Sequence, residues 1–357
     1  MLVYGSCLLP VAWAECRLEP ISEAGPHVMV RRLVGTCTTG ERRNLAIKGE
    51  EVLQALMEGR GIELDGVVLT GDVMLDRLPV EAVTPEDFGI PIVGERLSSS
   101  HIEEVRRIRG PLILRHVEVQ DVIATNFVMH GFLLVEGPVG IVDTTIQRSI
   151  DFSRTAFLDE VEFSGSHIFH EGFFIQTVFT KSANFENMNF GMHSRFHKVV
   201  FGGKATFTDS TFRGLAELLE VTYRQEADFA NAHFIMGTGF SGSSFEQQAT
   251  FTRAAFDREA YFRFVIFEGD AKFQGARFGA AADFTEARFQ AGWDFANVNF
   301  AVLPQFPKDQ SNILTGAGNR FKDAKVQAGI FVLLFIFFLV FILRSRRSRH
   351  VKTSKSP

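Results

Sequence analysis

Phenylalanine returns along this chain at steps that alternate strictly between five and six residues. One register runs Phe152, Phe163, Phe174, Phe185, Phe196, Phe207, Leu218, Phe229, Phe240, Phe251, Phe262, Phe273, Phe284, Phe295. The other runs Phe157, Ile168, Phe179, Phe190, Phe201, Phe212, Tyr223, Phe234, Phe245, Phe256, Phe267, Phe278, Phe289, Phe300. The period is therefore 11 residues, and the only polar atom on the ladder is the hydroxyl of Tyr223. This pattern explains a lopsided composition of 38 Phe against 2 Trp and 3 Tyr. A helix would place Phe240 and Phe245 about 140° apart, and it wants apolar residues three and four apart, not five and six. The Gly, Thr, Asp and Ser between the rungs also oppose helix. Extended chain fits instead. In ADFANAHF (227–234) and ADFTEARF (282–289) an alanine stands two before each Phe. Residues two apart on a strand face the same side, so a small residue and a Phe both point inward and the residue between them points out. A turn then sends the chain to the next short face, and coil stacks on coil.

Such a repeat reassigns every motif inside it. GTGFSG (237–242) fits the G-x-G-x-x-G fingerprint of dinucleotide loops, but that fingerprint works only where a strand runs into a helix N-terminus. Here Phe240 is a rung, and the glycines are turn and small-residue positions.

The motifs Ala227-Asp228-Phe229 and Ala282-Asp283-Phe284 resemble the A(D/N)LXX consensus of pentapeptide-repeat proteins, with Phe in the central Leu place. The resemblance covers residues 62–78 and 110–300. It implies an all-β fold, a right-handed quadrilateral parallel β-helix with four short faces per coil. This chain departs from the consensus by one extra residue in alternate faces, as in DREAY between Phe256 and Phe262. Two 11-residue units make a coil of 22 instead of 20, so two corners of each coil should bulge. Residues 152–300 then form about seven coils, roughly 34 Å tall at the spacing of paired strands.

The remaining segments divide as follows. Residues 1–14 read as an export signal, an apolar stretch ending in the small-x-small pattern Ala12-Trp13-Ala14. Residues 15–61 form an N-terminal cap region. There EEVLQALME (50–58) puts Val52, Leu53, Leu56 and Met57 on one helical face, and Gly59 ends it. Such a helix would cover the open end of the stack. Residues 62–150 read as irregular aliphatic coils, with Ile62, Val67, Val73 and Leu78 as rungs. An insertion at about 79–109 carries a short helix from a capping box of Ser100 and Glu103, with Ile102, Val105 and Ile108 on one face. GPLILRHV (110–117) resembles GDVMLDRL (71–78); the ladder then slips between Ile123 and Val135 and locks at Ile141 and Ile146. Residues 151–300 are the Phe-rich β-helix. Residues 301–325, with Pro304, Pro307, Gly316 and Gly318, read as a juxtamembrane linker. Residues 326–343 contain no charged residue and would span about 27 Å as a helix, which makes them the expected C-terminal transmembrane helix.

Charge sets the expected topology. The tail 344–357 carries six Lys and Arg and no acid, while the whole chain has a net charge of −5, so the rest of the chain stands at −11. The positive-inside rule puts that tail in the cytoplasm, near anionic lipid headgroups, and the N-terminal body on the other side. An export signal is what such a body needs. With Cys7 lost in the signal, Cys16 and Cys37 remain as an even pair suited to a disulfide in an oxidising compartment.

The chain shows no catalytic constellation. Ser241 and Ser243 have no His and acid in any hydrolase order. A metal site could use His170, Glu171 and His193, since 22 residues separate His170 and Glu171 from Met192 and His193, with His167 and His197 nearby; solvated surface histidines are the plainer reading. No cofactor is expected. Some pentapeptide-repeat proteins imitate DNA and block topoisomerases, which needs a strongly acidic cytoplasmic rod. Residues 151–300 hold 19 acids and 13 bases, a mild excess, so no nucleic-acid partner is expected. One span and no TVGYG-type filter also argue against a pore. The expectation is a membrane-anchored scaffold or binding protein that meets lipids through its span and tail and a protein partner through its body. An inverted topology would favour a DNA-mimic-like regulator. An enzyme would need an unrecognised site within residues 15–110.

Overall fold

The structure, a computed structural model, describes residues 15–19, 27–83, 89–127, 131–308 and, for the backbone alone, 320–321. Four sheets of 12, 12, 9 and 10 strands stand side by side and close on one another. In one coil the chain passes from Val161–Glu162 on face 1 to His167–Ile168 on face 2, Glu171–Phe173 on face 3 and Val178–Phe179 on face 4. It then returns to face 1 at Ala183–Asn184, where Ala183 pairs with Val161 of the coil it has just completed. The same offset carries Ala183 to Ala205, Ala227, Ala249 and Ala271 in parallel register. A 22-residue coil is thus the unit, and its strands are only two or three residues long.

The two kinds of step make two kinds of corner. In the five-residue step the amide of Ala232 bonds back to Phe229 O (3.1 Å), and that of Ser243 to Phe240 O (3.1 Å). The residue before each, Asn231 (φ 57°) or Gly242 (φ 74°), is left-handed, the signature of a type II turn. This column recurs twice in every coil from Asp143 to Asn297. Gly242 therefore serves a turn, and a strand, Ser244–Phe245, follows it instead of the helix a dinucleotide loop requires. The six-residue steps spend their extra residue in an open bend without a left-handed residue, as at Ile235–Gly237.

Inside, the ladder is dry and continuous, with every rung from Phe152 to Phe300 buried. Rings one coil apart stack: Phe229 on Phe251 (5.0 Å, 1°), Phe234 on Phe256 (4.9 Å, 1°), Phe245 on Phe267 (5.1 Å, 9°). Rings across a coil meet edge to face, as Phe229 and Phe240 do (5.3 Å, 88°). Both geometries suit the ring quadrupole, and each buried Phe contributes about 1.5–3 kcal/mol by area. Phe306 stacks on Phe284 (4.8 Å, 7°), so the ladder runs one rung past Phe300 into the segment the sequence assigns to the linker.

Helix α1 (Thr39–Asn44) and helix α2 (Gly49–Met57) precede the first full coil. Val52, Leu53, Ala55 and Leu56 of α2 join the main core and close its end, while Met57 faces outward, unlike the sequence expectation. Arg60 N to Ala55 O and Gly59 N to Leu56 O, both 3.0 Å, end α2 in a Schellman motif. Before α1, Cys16 and Cys37 are joined by a disulfide next to the antiparallel pair Arg17–Leu18 and Val28–Val34.

Two expectations need correction. The early rungs that continue the Phe columns are Leu64, Leu69 and Leu75; Ile62, Val67 and Val73 lie in the small-residue columns. Both sets are buried, because i and i−2 share a face. GPLILRHV, which resembles 71–78 in sequence, stacks on residues 60–67, with Leu112 beside Ile62. The insertion helix is α3 (Pro91–Ser99); Ser100 ends it, and Glu104–Ile108 is a strand between Val80–Ala82 and Leu133–Val135. Pro91 in the first turn starts this helix where its missing N–H costs nothing. Val93 and Leu97 of α3 pack with Leu134, Ala156 and Val178 in a second small core on the outside of face 4. The register slip appears where the ladder loses its spacing: Ile123 pairs with Ile150 across a lengthened coil, whereas Leu133 pairs with Thr155 at the regular offset.

Residues 1–14, 326–343 and 344–357 lie outside the described residues. Among the described residues no helix is long and apolar enough to cross a membrane.

Candidate functional site

With the interior filled by side chains, any site lies on the outer faces. Outward residues of consecutive coils are neighbours at an offset of one coil. On face 3 this brings Glu171, His193 and Leu215 into one column and Phe173, Arg195 and Glu217 into the next. The Glu217 carboxylate accepts from Arg195 Nε at 2.7 Å, and His193 Nε2 lies 2.7 Å from the same oxygen. The Arg195 guanidinium sits 5.9 Å over the Phe173 ring, and the His193 ring meets Phe173 edge-on at 5.7 Å. Partial burial alone would raise the Glu217 pKa; the bonds from Arg195 and His193 outweigh it and hold the carboxyl below its ordinary value.

Beside this cluster, exposed apolar side chains stand at and next to the corner between faces 2 and 3. Phe169, Met192, Leu215 and Met236 occupy four consecutive coils and are 45%, 63%, 44% and 49% exposed. On the next coil of face 3, Tyr261 is also exposed. Exposed apolar side chains beside fixed charges are the composition of a surface that contacts another protein.

The residues considered for a metal are dispersed by the same geometry. Glu171 and His193 do sit side by side in register. Yet His193 is committed to Glu217, and Glu171 takes the hydroxyl of Ser149. His167 lies on face 2 with its ring against Phe169 (4.2 Å), and His197 turns to Glu220 (3.2 Å) at a different corner. Among the described residues no group of three His, Cys, Asp or Glu is placed to hold an ion. Ser243 is a buried structural hydroxyl that donates to Leu218 O (2.9 Å) and accepts from Val221 N (3.0 Å), stitching one coil to the one before. Ser241 lies at the same corner.

Sequence reasoning did not name Phe173, Arg195, Glu217 or the exposed apolar side chains near the corner. The signal was present once the coil length was known, because reading every outward residue against its neighbour one coil away aligns them.

Comparison with known proteins adds one match. The family model described as Pentapeptide repeats (9 copies) covers residues 251–299. No curated protein and no solved structure matches the chain. That segment shares the fold, the coil length and the ladder of the coils that precede it. Residues 251–299 thus match pentapeptide repeats, and the same ladder runs back from them unbroken to Phe152.

Proposed function

We propose that this protein is a membrane-anchored scaffold that holds a stiff β-helix outside the cytoplasm and offers face 3 to a protein partner. The observation that carries the reading is the order of segments along the chain. A ladder ending at Phe306 is followed by the charge-free stretch 326–343 and then by six cations without an acid. The bonded pair Cys16 and Cys37 supports an oxidising compartment for the body. The exposed apolar side chains from Phe169 to Met236 and the Phe173–Arg195–Glu217 column support a partner that reads shape and charge from a surface that hardly deforms. The work we propose is binding: the outer faces offer paired charges and exposed apolar side chains.

The test is protease treatment of intact cells that express the chain with a tag between Pro304 and Asn312 and a second tag at the C-terminus. The reading predicts loss of the first tag and survival of the second. Protection of both would put the β-helix in the cytoplasm and favour a DNA-mimic-like regulator.

A further inference from the structure

The insertion rejoins the β-helix beside a cavity that holds two arginines. Strand Glu104–Ile108 pairs with Leu133–Val135, which pairs with Thr155–Phe157, so Arg106, Leu133 and Thr155 are register neighbours. Arg154, the left-handed turn residue just before Thr155, is thereby brought to the same corner as Arg106. A cavity of about 250 Å³ opens there, lined by His101, Glu103, Glu104, Arg106, Gly131 and Arg154.

Its two guanidinium groups are held in place, and neither forms an ion pair among the described residues. Arg154 Nε donates to Gly131 O (2.9 Å) and its Nη1 to Gln176 Oε1 (3.2 Å). The Arg106 guanidinium lies 5.2 Å over the Phe127 ring. Gly131 makes that platform fit: its φ is 133°, and a Cβ there would stand 2.6 Å from Phe127 Cδ1. Arg106 Nε is buried with no hydrogen-bond partner among the described residues. Neighbouring Arg107, in contrast, is paired with both Glu81 (2.9 Å) and Glu136 (2.7 Å). No carboxylate among the described residues comes within 4.0 Å of a nitrogen of Arg106 or Arg154. A third cation, Arg96 of α3, donates to Lys198 O (2.6 Å), and burial followed by the Arg154 charge presses its pKa down. Guanidinium groups do not lose their proton, so a fork without an ion pair among the described residues is matched by an anion.

We propose that this cavity binds the oxyanion group of a small molecule, a carboxylate or a phosphate monoester, between Arg106 and Arg154. A guanidinium fork matches either group in two parallel hydrogen bonds. Glu103 and Glu104, exposed among the lining residues, repel further negative charge and limit the ligand to one such group. None of the six named lining residues is Ser, Thr or Cys, so the site is one of binding.

The test titrates the full-length chain in detergent with inorganic phosphate and, separately, with acetate, ionic strength being held constant with chloride. Thermal unfolding and calorimetry provide the readouts. Saturable binding with a rise in Tm is expected for at least one anion, and the tighter of the two identifies the ligand class. Arg106→Met should melt close to the parent without anion, losing only the contact of its guanidinium over the Phe127 ring, and should lose the anion-dependent rise. Arg106→Lys keeps the charge without the fork and should bind about tenfold more weakly, the scale of one charge-assisted hydrogen bond; it serves if the Met variant fails to fold. Arg288→Gln, far along the stack, should bind as the parent does. Absence of a saturable shift with either anion, or equal shifts in the parent and Arg106→Met, would overturn the proposal.

Discussion

Truncating Phe240 to alanine tests whether the ladder stabilises the protein coil by coil. Phe240 is fully buried. It stacks on Phe262 (4.9 Å, 6°) and is met edge-on by Phe229 (5.3 Å) and Phe251 (5.3 Å). Its neighbour one coil earlier is Leu218, so only one stacked partner is lost. Removing a buried ring of this kind costs about 3–5 kcal/mol, the transfer term plus the cavity left behind. In a solenoid each coil touches only its neighbours, so the loss should stay local. Hydrogen exchange read by mass spectrometry locates it. The amide of Phe240, bonded to Tyr261 O at 2.7 Å, and its neighbours in 227–262 should open more easily by that amount. Peptides covering 152–174, three coils away, should keep their protection. A loss below about 1 kcal/mol, or one spread evenly over the stack, would refute the reasoning.

Three further outcomes follow from single residues. Tyr223 stands in a Phe column between Phe201 and Phe245 with its hydroxyl buried and unpartnered among the described residues, and burial pushes its pKa far up; Tyr223→Phe should therefore stabilise by about 1 kcal/mol or more in a denaturant melt. Phe264 is 56% exposed and left-handed (φ 57°), where other coils use Asn231 and Asn297; Phe264→Asn should raise stability by about 1 kcal/mol, and an unchanged melt would count against strain at that corner. Glu217 is held below its ordinary 4.5, so its contribution is complete above that value and fades as pH falls through the lower folded-state value. Glu217→Gln should be about 1 kcal/mol less stable than the parent at neutral pH, a value discounted for partial exposure, with the gap closing below pH 4.5.

The parts of the fold that were legible share one cause. A Phe at each regular return of the chain marks both phase and period, because the buried rung is where a large ring recurs in every coil. Where the rungs are aliphatic the mark disappears: Ile62 and Leu64 are equally apolar and equally buried, so the period survived and the phase slipped by one inward position. The Ser100 and Glu103 capping pattern was a local signal, overridden by Pro91 upstream and by a strand that Glu104–Ile108 completes between two neighbours. The charged column of face 3 follows from the coil length alone. The cavity with two arginines does not, since Arg106 reaches Arg154 only through an insertion and a register slip. Arg154 did stand in the periodic left-handed column, but nothing local distinguishes it there from Arg253.

The claim on which everything rests is the length of the coil. Thr250 and Lys272 are register partners on face 1, both outward between a buried Ala and a buried Phe. Paired strands lie about 4.8 Å apart, within the span of a disulfide. The double variant Thr250→Cys and Lys272→Cys should form that bond under mild oxidation, read by non-reducing peptide mapping of the full chain. Thr250→Cys with Asp270→Cys, the pair that an ideal square coil of four five-residue faces would align, should not. Cross-linking of the second pair and not the first would contradict the architecture and every neighbour relation drawn from it.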